Sequence, residues 1–179
     1  MKNDMQYIYR LILDSAMAAK GMSVSEARFI EIMKDGRAIS RFAEDYAVKL
    51  YPGLKLQPLN HKGSDATGAK DTQYSVKALT KRGTAVRYSG NSGKGRHCHE
   101  KDVREFIKQS AVHIFVDNTK FPELSLISVN SGVLMEWYQK GSLGKSNGQI
   151  SYKSFYKQDE VLGREIVDTG IVDIPKEEQ

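Results

Sequence analysis

Cysteine, proline and long apolar runs are scarce in this 179-residue chain, and the scarcity excludes several classes of protein. The single cysteine, Cys98, forms no internal disulfide, which is typical of a reducing compartment. No run approaches the roughly 18 apolar residues of a membrane-spanning helix. The first residues carry Asp4 and no apolar segment, which argues against a secretory signal peptide. We therefore expect a cytoplasmic protein with no membrane partner.

What the chain does contain is the composition of an ordinary globular domain. It is 40% hydrophobic and 27% charged, which leaves enough apolar side chains for a core. No linker and no internal repeat divides the sequence. We therefore expect a single domain over residues 1–179.

Acidic residues are absent from one segment and concentrated in another. Residues 77–96 contain six lysines and arginines and no acid, whereas residues 159–179 contain seven acids and only Arg164 and Lys176 as bases. A positive segment beside an acidic tail is typical of a protein that binds a polyanion. The alternative is a solvated surface loop with an ordinary excess of lysine.

The pattern of apolar residues predicts helices in the first third of the chain. Apolar side chains recur at a period near 3.6 over residues 5–20, which predicts a first helix ending at Gly21. Ser23 and Glu26 form a capping box that begins a second helix, ending near Lys34. A third helix is predicted over about 38–51. We thus expect an N-terminal helical part over about 1–51.

The rest of the chain alternates between strand and helix patterns. A hairpin is predicted over 63–79, a short strand over 84–88, an amphipathic helix over 100–109 and apolar strands over 111–116 and 124–129. Residues 133–137 fit either a strand or a short helix. This order predicts an α/β fold with a central mixed β-sheet flanked by helices.

The hairpin brings together side chains of contrasting chemistry. Alternate residues of a strand share a face, so Ser75 and Lys77 point one way and Tyr74 and Val76 the other. Asp65 on the first strand can then meet Ser75 and Lys77 across the ladder. A carboxylate beside an ammonium suits a site for a divalent metal and a phosphate. Taken singly, Asp65 could instead form a turn, and Ser75 and Lys77 could be the solvent face of an edge strand.

An Asp, a hairpin of about ten residues and then an acid-x-Lys tripeptide resembles the PD-(D/E)XK nuclease superfamily, which includes most type II restriction endonucleases. The match lies in Gly63-Ser64-Asp65-Ala66 and Ser75-Val76-Lys77, with the helix Phe42–Tyr46 upstream. The departure is Ser75, which stands where the tripeptide carries an acid. The resemblance covers roughly Gly36 to Val116 and implies a restriction-endonuclease-like core over about 36–140.

The resemblance implies a metal site and a role for each of its members. Mg²⁺ would lie on Asp65, on Glu44 as the relocated acid and on a backbone carbonyl near Val76, a set of oxygen ligands that suits this ion. Lys77 would orient the attacking water, and Ser75 would hydrogen-bond a metal-bound water. From the helix alone, Glu44 could equally be an exposed acid at the border of the core.

Double-stranded DNA is the partner that the resemblance and the basic segment imply. The candidate DNA-binding residues are Lys62, Lys70, Lys81, Arg82, Arg87, Lys94, Arg96, His97 and His99. Arg suits guanine and His can donate or accept, so Arg96, His97 and His99 are candidates for base contact. An exposed loop ahead of a helix explains these three equally well.

We therefore expect a Mg²⁺-dependent DNA endonuclease, either a type II restriction enzyme or a related phage or mobile-element nuclease. Symmetric cutting of both strands would make it a homodimer. The first alternative is a catalytically inactive DNA-binding protein on the same fold, because the tripeptide lacks its acid. The second is a partner-binding domain whose basic loop meets an acidic protein.

Overall fold

Helices and strands alternate along most of the chain. The computed structural model describes residues 7–51, 53–58, 64–86 and 99–171, except for the side chains of residues 36, 37, 41 and 171. The helices are α1 Ser15–Gly21, α2 Glu26–Met33, α3 Gly36–Leu50, α4 Glu100–Gln109, α5 Ser131–Lys140 and α6 Tyr152–Phe155. The strands are β1 Tyr7–Ile12, β2 Lys55–Leu56, β3 Ala66–Thr67, β4 Gln73–Leu79, β5 Thr84–Ala85, β6 Val112–Asp117, β7 Glu123–Asn130, β8 Gln149–Ile150 and β9 Glu165–Ile171.

Seven of these strands form one mixed sheet in the order β2-β3-β4-β6-β7-β1-β9. The pairs β4–β6 and β1–β9 are parallel, and the other neighbours are antiparallel. The parallel pair β4–β6 requires a crossover, which contains α4. Strands β5 and β8 form a separate two-stranded sheet. The expected α/β class, with a mixed central sheet flanked by helices, is confirmed.

Strand β6 lies at the centre of the fold, as its apolar sequence predicts. All six of its residues are buried, and it pairs with β4 on one side and β7 on the other. Both of its faces are covered, since Ile114 and Val116 belong to one apolar core and Phe115 to another. A strand buried on both faces reads as a continuous apolar run, which is why its sequence signal is strong.

The first core holds β4 against the N-terminal helices. Helix α3 presents the fully buried side chains of Ile39, Ala43 and Ala47, four residues apart, and packs on β4. The small alanine side chains let the helix axis approach the sheet closely. Val76 of β4 joins this core, so the face of β4 opposite to Ser75 and Lys77 is fixed by packing.

The second core covers the other face of the sheet. Phe155 packs edge-on against Phe115 and Trp137, with ring centroids 4.9 and 5.6 Å apart. Val103 and Ile107 of α4 are fully buried in the same core. The helices that carry these residues therefore enclose the face from which Ser75 and Lys77 project.

The first predicted helix is wrong over residues 7–12, which form β1. Leu11 belongs to the first core and Ile8 to the second, so these residues alternate between the two faces of the sheet. Pairing with β7 and β9 outweighs the helical spacing of the apolar residues. Helix α1 begins only at Ser15, with the Asp14 side chain accepting a 2.9 Å hydrogen bond from the Met17 amide.

The predicted N-cap residue of the second helix is also wrong, by two positions. Ser25, not Ser23, caps α2 by accepting a hydrogen bond from the Arg28 amide. Glu26 instead accepts a 2.5 Å hydrogen bond from the Ser15 hydroxyl and so ties α2 to α1. The N-terminal part is therefore a strand followed by three helices.

The structure decides one open alternative and adds one strand. Of the two structures expected over 133–137, the helix is correct: these residues lie in α5, which Asn130 caps by accepting a 2.8 Å hydrogen bond from the Val133 amide. Strand β9 was not predicted, and with β1 it brings two strands into the sheet from outside residues 36–140. Within the described ranges, no helix combines the length and the apolar character needed to cross a membrane.

Candidate active site

Asp65 is held in the sheet by its main chain. Its amide donates to the Tyr74 carbonyl at 2.9 Å, and its carbonyl accepts from the Gln57 amide at 3.0 Å. It stands immediately before β3, whose next residue, Ala66, pairs with Tyr74. Asp65 thus lies at a bend immediately before β3, and its main chain is bonded to the segments on both sides.

Three donors converge on one oxygen of the Asp65 carboxylate. Its Oδ2 accepts from the Ser75 hydroxyl at 3.1 Å, from the Val76 amide at 2.6 Å and from the Lys77 ammonium at 3.3 Å. The expectation that Asp65 meets Ser75 and Lys77 across the hairpin is therefore confirmed. Its Oδ1 accepts no hydrogen bond from the described residues. The three bonds to Oδ2 fix the orientation of the carboxylate, and Oδ1 can still bind a ligand such as a metal ion.

Ser75 and Lys77 lie beyond the part of β4 that β3 covers. Strand β3 pairs only with Gln73 and Tyr74, so within the described residues Ser75 and Lys77 have a strand partner, β6, on one side alone. Their side chains nevertheless do not form a solvent face. Ser75 is 3% exposed, and the side chains of Lys77 and Asp65 are 19% and 21% exposed. The ion pair is therefore largely withdrawn from water, while part of each charged group remains accessible.

The Val76 carbonyl faces the same edge of β4 as Asp65. The Gln73 carbonyl accepts from Ala111 on the β6 side, and the Tyr74 carbonyl accepts from Asp65 on the β3 side. Alternate residues direct their main-chain groups to the same edge, so the groups of Val76 point the same way as those of Tyr74. The 2.6 Å bond from the Val76 amide to Asp65 agrees with this direction. Asp65 and the Val76 carbonyl are thus neighbouring oxygen donors.

Glu44 lies in the layer behind the sheet. It is a half-buried residue of α3 next to the fully buried Ala43, which agrees with its expected position at the border of the apolar stripe. Helix α3 packs on the face of β4 that carries Val76, whereas Ser75 and Lys77 belong to the other face. The role of Glu44 as a metal ligand stays a prediction.

The Asp65 carboxylate and the Val76 carbonyl are hard oxygen ligands of the kind that a divalent cation such as Mg²⁺ prefers. Mg²⁺ keeps several waters and binds through one or two protein carboxylates, so Asp65 with the Val76 carbonyl is a sufficient start of a site. Among residues 7–51, 53–58, 64–86 and 99–171, no three or more His, Cys, Asp or Glu side chains are placed together so that they could hold a metal ion. A Mg²⁺ ion at this site would therefore be bound by few protein ligands together with several waters, and not by a set of protein ligands alone.

His113 is a neighbour of the site that the sequence reasoning missed. It stands beside Ser75 in the parallel register of β4 and β6 and is 1% exposed. Its Nε2 lies 3.1 Å from the Ile107 carbonyl, and Nδ1 makes no well-formed hydrogen bond to the described residues. Burial, with a smaller contribution from the Lys77 charge, lowers the His113 pKa to about 4. The only signal in the sequence is a lone histidine inside the most apolar run.

The neutral state of His113 fixes its tautomer. A carbonyl oxygen accepts hydrogen bonds only, so Nε2 carries the proton and donates it to Ile107. The lone pair is then on Nδ1. The imidazole therefore adds no positive charge beside Asp65 and Lys77 at neutral pH.

The predicted DNA contacts that the structure describes lie at both ends of β4. Lys70 is exposed in the turn before the strand, and Lys81 and Arg82 are exposed in the turn between Thr80 and Gly83 after it. The six steps of β4 separate the two turns by about 20 Å. His99 is exposed at the N-cap of α4. The other predicted contacts lie outside the described residues, namely Lys62, Arg87, Lys94, Arg96 and His97.

Comparison with known proteins does not identify a function for this site. The sequence matches no protein-family model and no curated protein. The inference of function therefore starts from the residues around Asp65.

Proposed function

We propose that this chain is a Mg²⁺-dependent DNA endonuclease with a restriction-endonuclease-like core. The observation that carries the proposal is the convergence of Ser75, Val76 and Lys77 on one oxygen of Asp65. An acid, a ten-residue hairpin and a lysine two positions beyond a serine are the parts of the sequence resemblance. Their contact in space supports the assignment of these residues to one site.

The placement of the ion pair is unusual for a purely structural contact. A lysine whose side chain is largely buried loses hydration, and a neutral side chain would fill that position at lower cost in free energy. The pair is nevertheless partly exposed, with 19% and 21% of the two side chains accessible. A charged pair that is held rigidly and still reaches solvent is suited to a phosphate and a water molecule.

Asp65 and the Val76 carbonyl would hold the Mg²⁺ ion, with Glu44 as the proposed second acid. The ion would activate a water molecule and neutralise the charge that develops on the phosphate. A single acid or base accelerates a reaction by only about 10²–10⁴-fold, which is far short of what phosphodiester hydrolysis requires.

The chain's own residues supply orientation and charge. Ser75 is buried and donates to Asp65, so we assign it to orienting the carboxylate rather than to contact with water. The Lys77 ammonium carries the positive charge of the site, where it would bind the attacking water and the phosphate oxygens. Lys70, Lys81 and Arg82 would bind DNA phosphates on either side.

The direct test is cleavage of supercoiled plasmid by the full-length protein. We expect nicked or linear DNA with Mg²⁺, no cleavage with EDTA, and at least a hundredfold loss of rate in Asp65→Asn and Lys77→Ala. Lys140→Ala is the matched control, because this lysine is 64% exposed and pairs only with Glu136 among the described residues. Cleavage that survives in both site variants would refute the assignment.

A catalytically inactive DNA-binding protein is the second candidate. The observation in its favour is Ser75 itself, which occupies the acidic position of the tripeptide and is buried against Asp65. DNA binding that weakens steeply with salt, together with no cleavage under any divalent cation, would support this candidate over the first.

A further inference from the structure

Acidic residues are absent from two long segments of the chain, and the fold places parts of these segments side by side. Residues 72–99 contain six lysines and arginines and no acid, and residues 137–158 contain four lysines and no acid. Strand β5 lies in the first segment and β8 in the second, and the two strands pair as an antiparallel ribbon. The second segment therefore extends the basic region that the sequence shows over residues 77–96.

The ribbon of β5 and β8 is fixed to the face of the sheet that carries the candidate active site. Ile150 pairs with Thr84 and is buried in the second core, whereas the neighbouring Gln149 is exposed. Leu79 of β4 lies in the same core, two residues and about 7 Å beyond Lys77 along the strand. Residues two apart in a strand share a face, so Lys77 and the ribbon lie on the same side of the sheet.

One end of the ribbon brings together bases from both segments. The turn before β5 exposes Lys81 and Arg82, and its last residue is Gly83. A side chain on Gly83 would come within 2.8 Å of the Ser151 main chain, so the turn lies directly against the start of α6. Lys153 is exposed in the first turn of this helix. The two basic groups are therefore neighbours, although about 70 residues separate them in the chain.

The other end of the ribbon carries Lys145, which is exposed in the loop before β8. The loop is closed by a 2.7 Å hydrogen bond from the Gly148 amide to the Gly144 carbonyl, and the Gly148 carbonyl accepts from the Val86 amide at 2.8 Å. Val86 lies three residues beyond Gly83, so the ends of the ribbon are about 10 Å apart. Phosphates of one DNA strand recur about every 3.4 Å along the helix axis, and the ribbon thus spans about three of them.

The bases at the two ends of the ribbon form a surface of one sign. This ribbon surface consists of Lys81, Arg82, Lys145 and Lys153. None of the four forms an ion pair with the described part of the chain. On the helices, in contrast, Arg28 pairs with Glu31 and Lys140 with Glu136. Because like charges that are not neutralised repel one another and attract a polyanion, the ribbon surface is suited to an anionic partner.

We propose that the ribbon surface binds the phosphate backbone of double-stranded DNA, with Lys145 and Lys153 as contacts additional to Lys81 and Arg82. The choice of DNA rests on the proposed function, because the ribbon and Lys77 lie on one face of the sheet. A duplex held at the ribbon would continue past the end of β4 towards the candidate active site.

The test measures the affinity of the full-length protein for a labelled duplex by fluorescence anisotropy, in EDTA so that no cleavage is required. Lys145→Ala with Lys153→Ala removes about two phosphate contacts and should lower the slope of log affinity against log salt by about 2. Lys34→Ala with Lys49→Ala is the control, since it removes the same charge from exposed positions behind the sheet and should leave the slope unchanged. Equal slopes for the two double variants would overturn the proposal.

Acetylation of the wild-type protein, read by mass spectrometry, tests the same contacts without a substitution. The duplex should protect Lys145 and Lys153 and leave Lys34 and Lys49 reactive, and equal protection of the four would contradict the proposal. Polyglutamate of the same total charge tests an acidic protein as the partner. It should compete weakly, and competition as strong as that of unlabelled duplex would exclude DNA as the preferred ligand.

The binding and cleavage experiments fail independently of each other. A slope that falls in Lys145→Ala with Lys153→Ala, beside no cleavage with Mg²⁺, would support the ribbon surface and refute only the nuclease assignment. Cleavage with Mg²⁺ beside an unchanged slope would refute the ribbon surface and leave the nuclease assignment standing.

Discussion

The main-chain amide of Val76 donates a 2.6 Å hydrogen bond to the carboxylate of Asp65, eleven residues earlier in the chain. The orientation of the acid is therefore fixed by the backbone of the residue between Ser75 and Lys77. A charge-assisted bond to a backbone amide is stronger than one between neutral groups. This hydrogen bond does not involve the Val76 side chain, so a substitution of Val76 would leave the Asp65 carboxylate oriented in the same way.

The two simplest replacements of Asp65 should differ in stability. Asp65→Ala leaves the Val76 amide, the Ser75 hydroxyl and the Lys77 ammonium without their acceptor, at a cost of about 2–3 kcal/mol in the free energy of unfolding. Asp65→Asn keeps one oxygen acceptor and should cost less. Urea unfolding of both variants checks this order. Equal stability of Asp65→Ala and the wild type would show that the three contacts contribute nothing.

The variant Ser75→Ala tests whether Ser75 only orients the Asp65 carboxylate or also takes part in the cleavage reaction. Ser75→Ala deletes one of the three bonds to Asp65 and should lower the free energy of unfolding by about 1 kcal/mol. Because the Val76 and Lys77 contacts remain, plasmid cleavage should fall less than in Lys77→Ala. Urea unfolding and cleavage rates measure the two effects. A larger loss of cleavage in Ser75→Ala than in Lys77→Ala would contradict the positioning role.

His113 should make the protein less stable in mild acid. Its pKa is about 4 in the folded chain and near 6.5 when unfolded, so the unfolded chain binds the extra proton first as the pH falls. The stability from this group is complete above about pH 6.5 and is lost progressively down to about pH 4, by up to about 3 kcal/mol.

The variant His113→Gln tests the source of this pH dependence. Glutamine keeps a donor for the Ile107 carbonyl but does not titrate, so its stability should fall less between pH 7.5 and pH 4.5 than that of the wild type. Identical slopes for wild type and His113→Gln would remove His113 as the cause.

The basic turn after β4 should govern the salt dependence of DNA binding. Lys81→Ala with Arg82→Ala removes about two phosphate contacts, which should lower the slope of log affinity against log salt by about 2. Lys34→Ala with Lys49→Ala is the matched control, since these exposed lysines lie in the layer behind the sheet. Fluorescence anisotropy of a labelled duplex measures both slopes, and an equal change in both variants would exclude a specific role for the turn.

Close packing of α3 against β4 should be needed for stability. Ala43 is fully buried at this contact, and Ala43→Leu would push the helix away from the strand at a cost of about 1–3 kcal/mol. Asp45→Ala, at an exposed position of the same helix, should be close to neutral. Urea unfolding compares the two, and an equal effect would show that the interface is not tightly packed.

The hairpin and the central strand could be predicted because their signals are local. Asp65 meets Lys77 through a turn of a few residues, and alternation assigns Ser75 and Lys77 to one face. Strand β6 could be predicted because it is a continuous apolar run, which is typical of a strand buried on both faces. The pairing of β4 with β6, in contrast, joins residues about 38 positions apart in the chain, and the hairpin alone could not predict it.

Strands β1 and β9 show where local patterns fail. Residues 7–12 carry apolar side chains whose spacing suits a helix as well as a strand, and their partners β7 and β9 lie more than a hundred residues away in the chain. Strand β9 is largely exposed and has little periodicity. Pairing between distant segments decides such elements, and a single window of sequence does not contain that information.

By itself, the sequence determined the α/β class, the hairpin and the meeting of Asp65 with Ser75 and Lys77, because short-range periodicity and turn chemistry act within a few residues. The tertiary structure alone decided that His113 stands beside Ser75, that Glu44 lies in the opposite layer and that the hydroxyls of Tyr152 and Tyr156 both donate to the Asp117 carboxylate. These neighbours come from strands and helices far apart in the chain. Only the register of the folded sheet and the packing of its two cores bring them together.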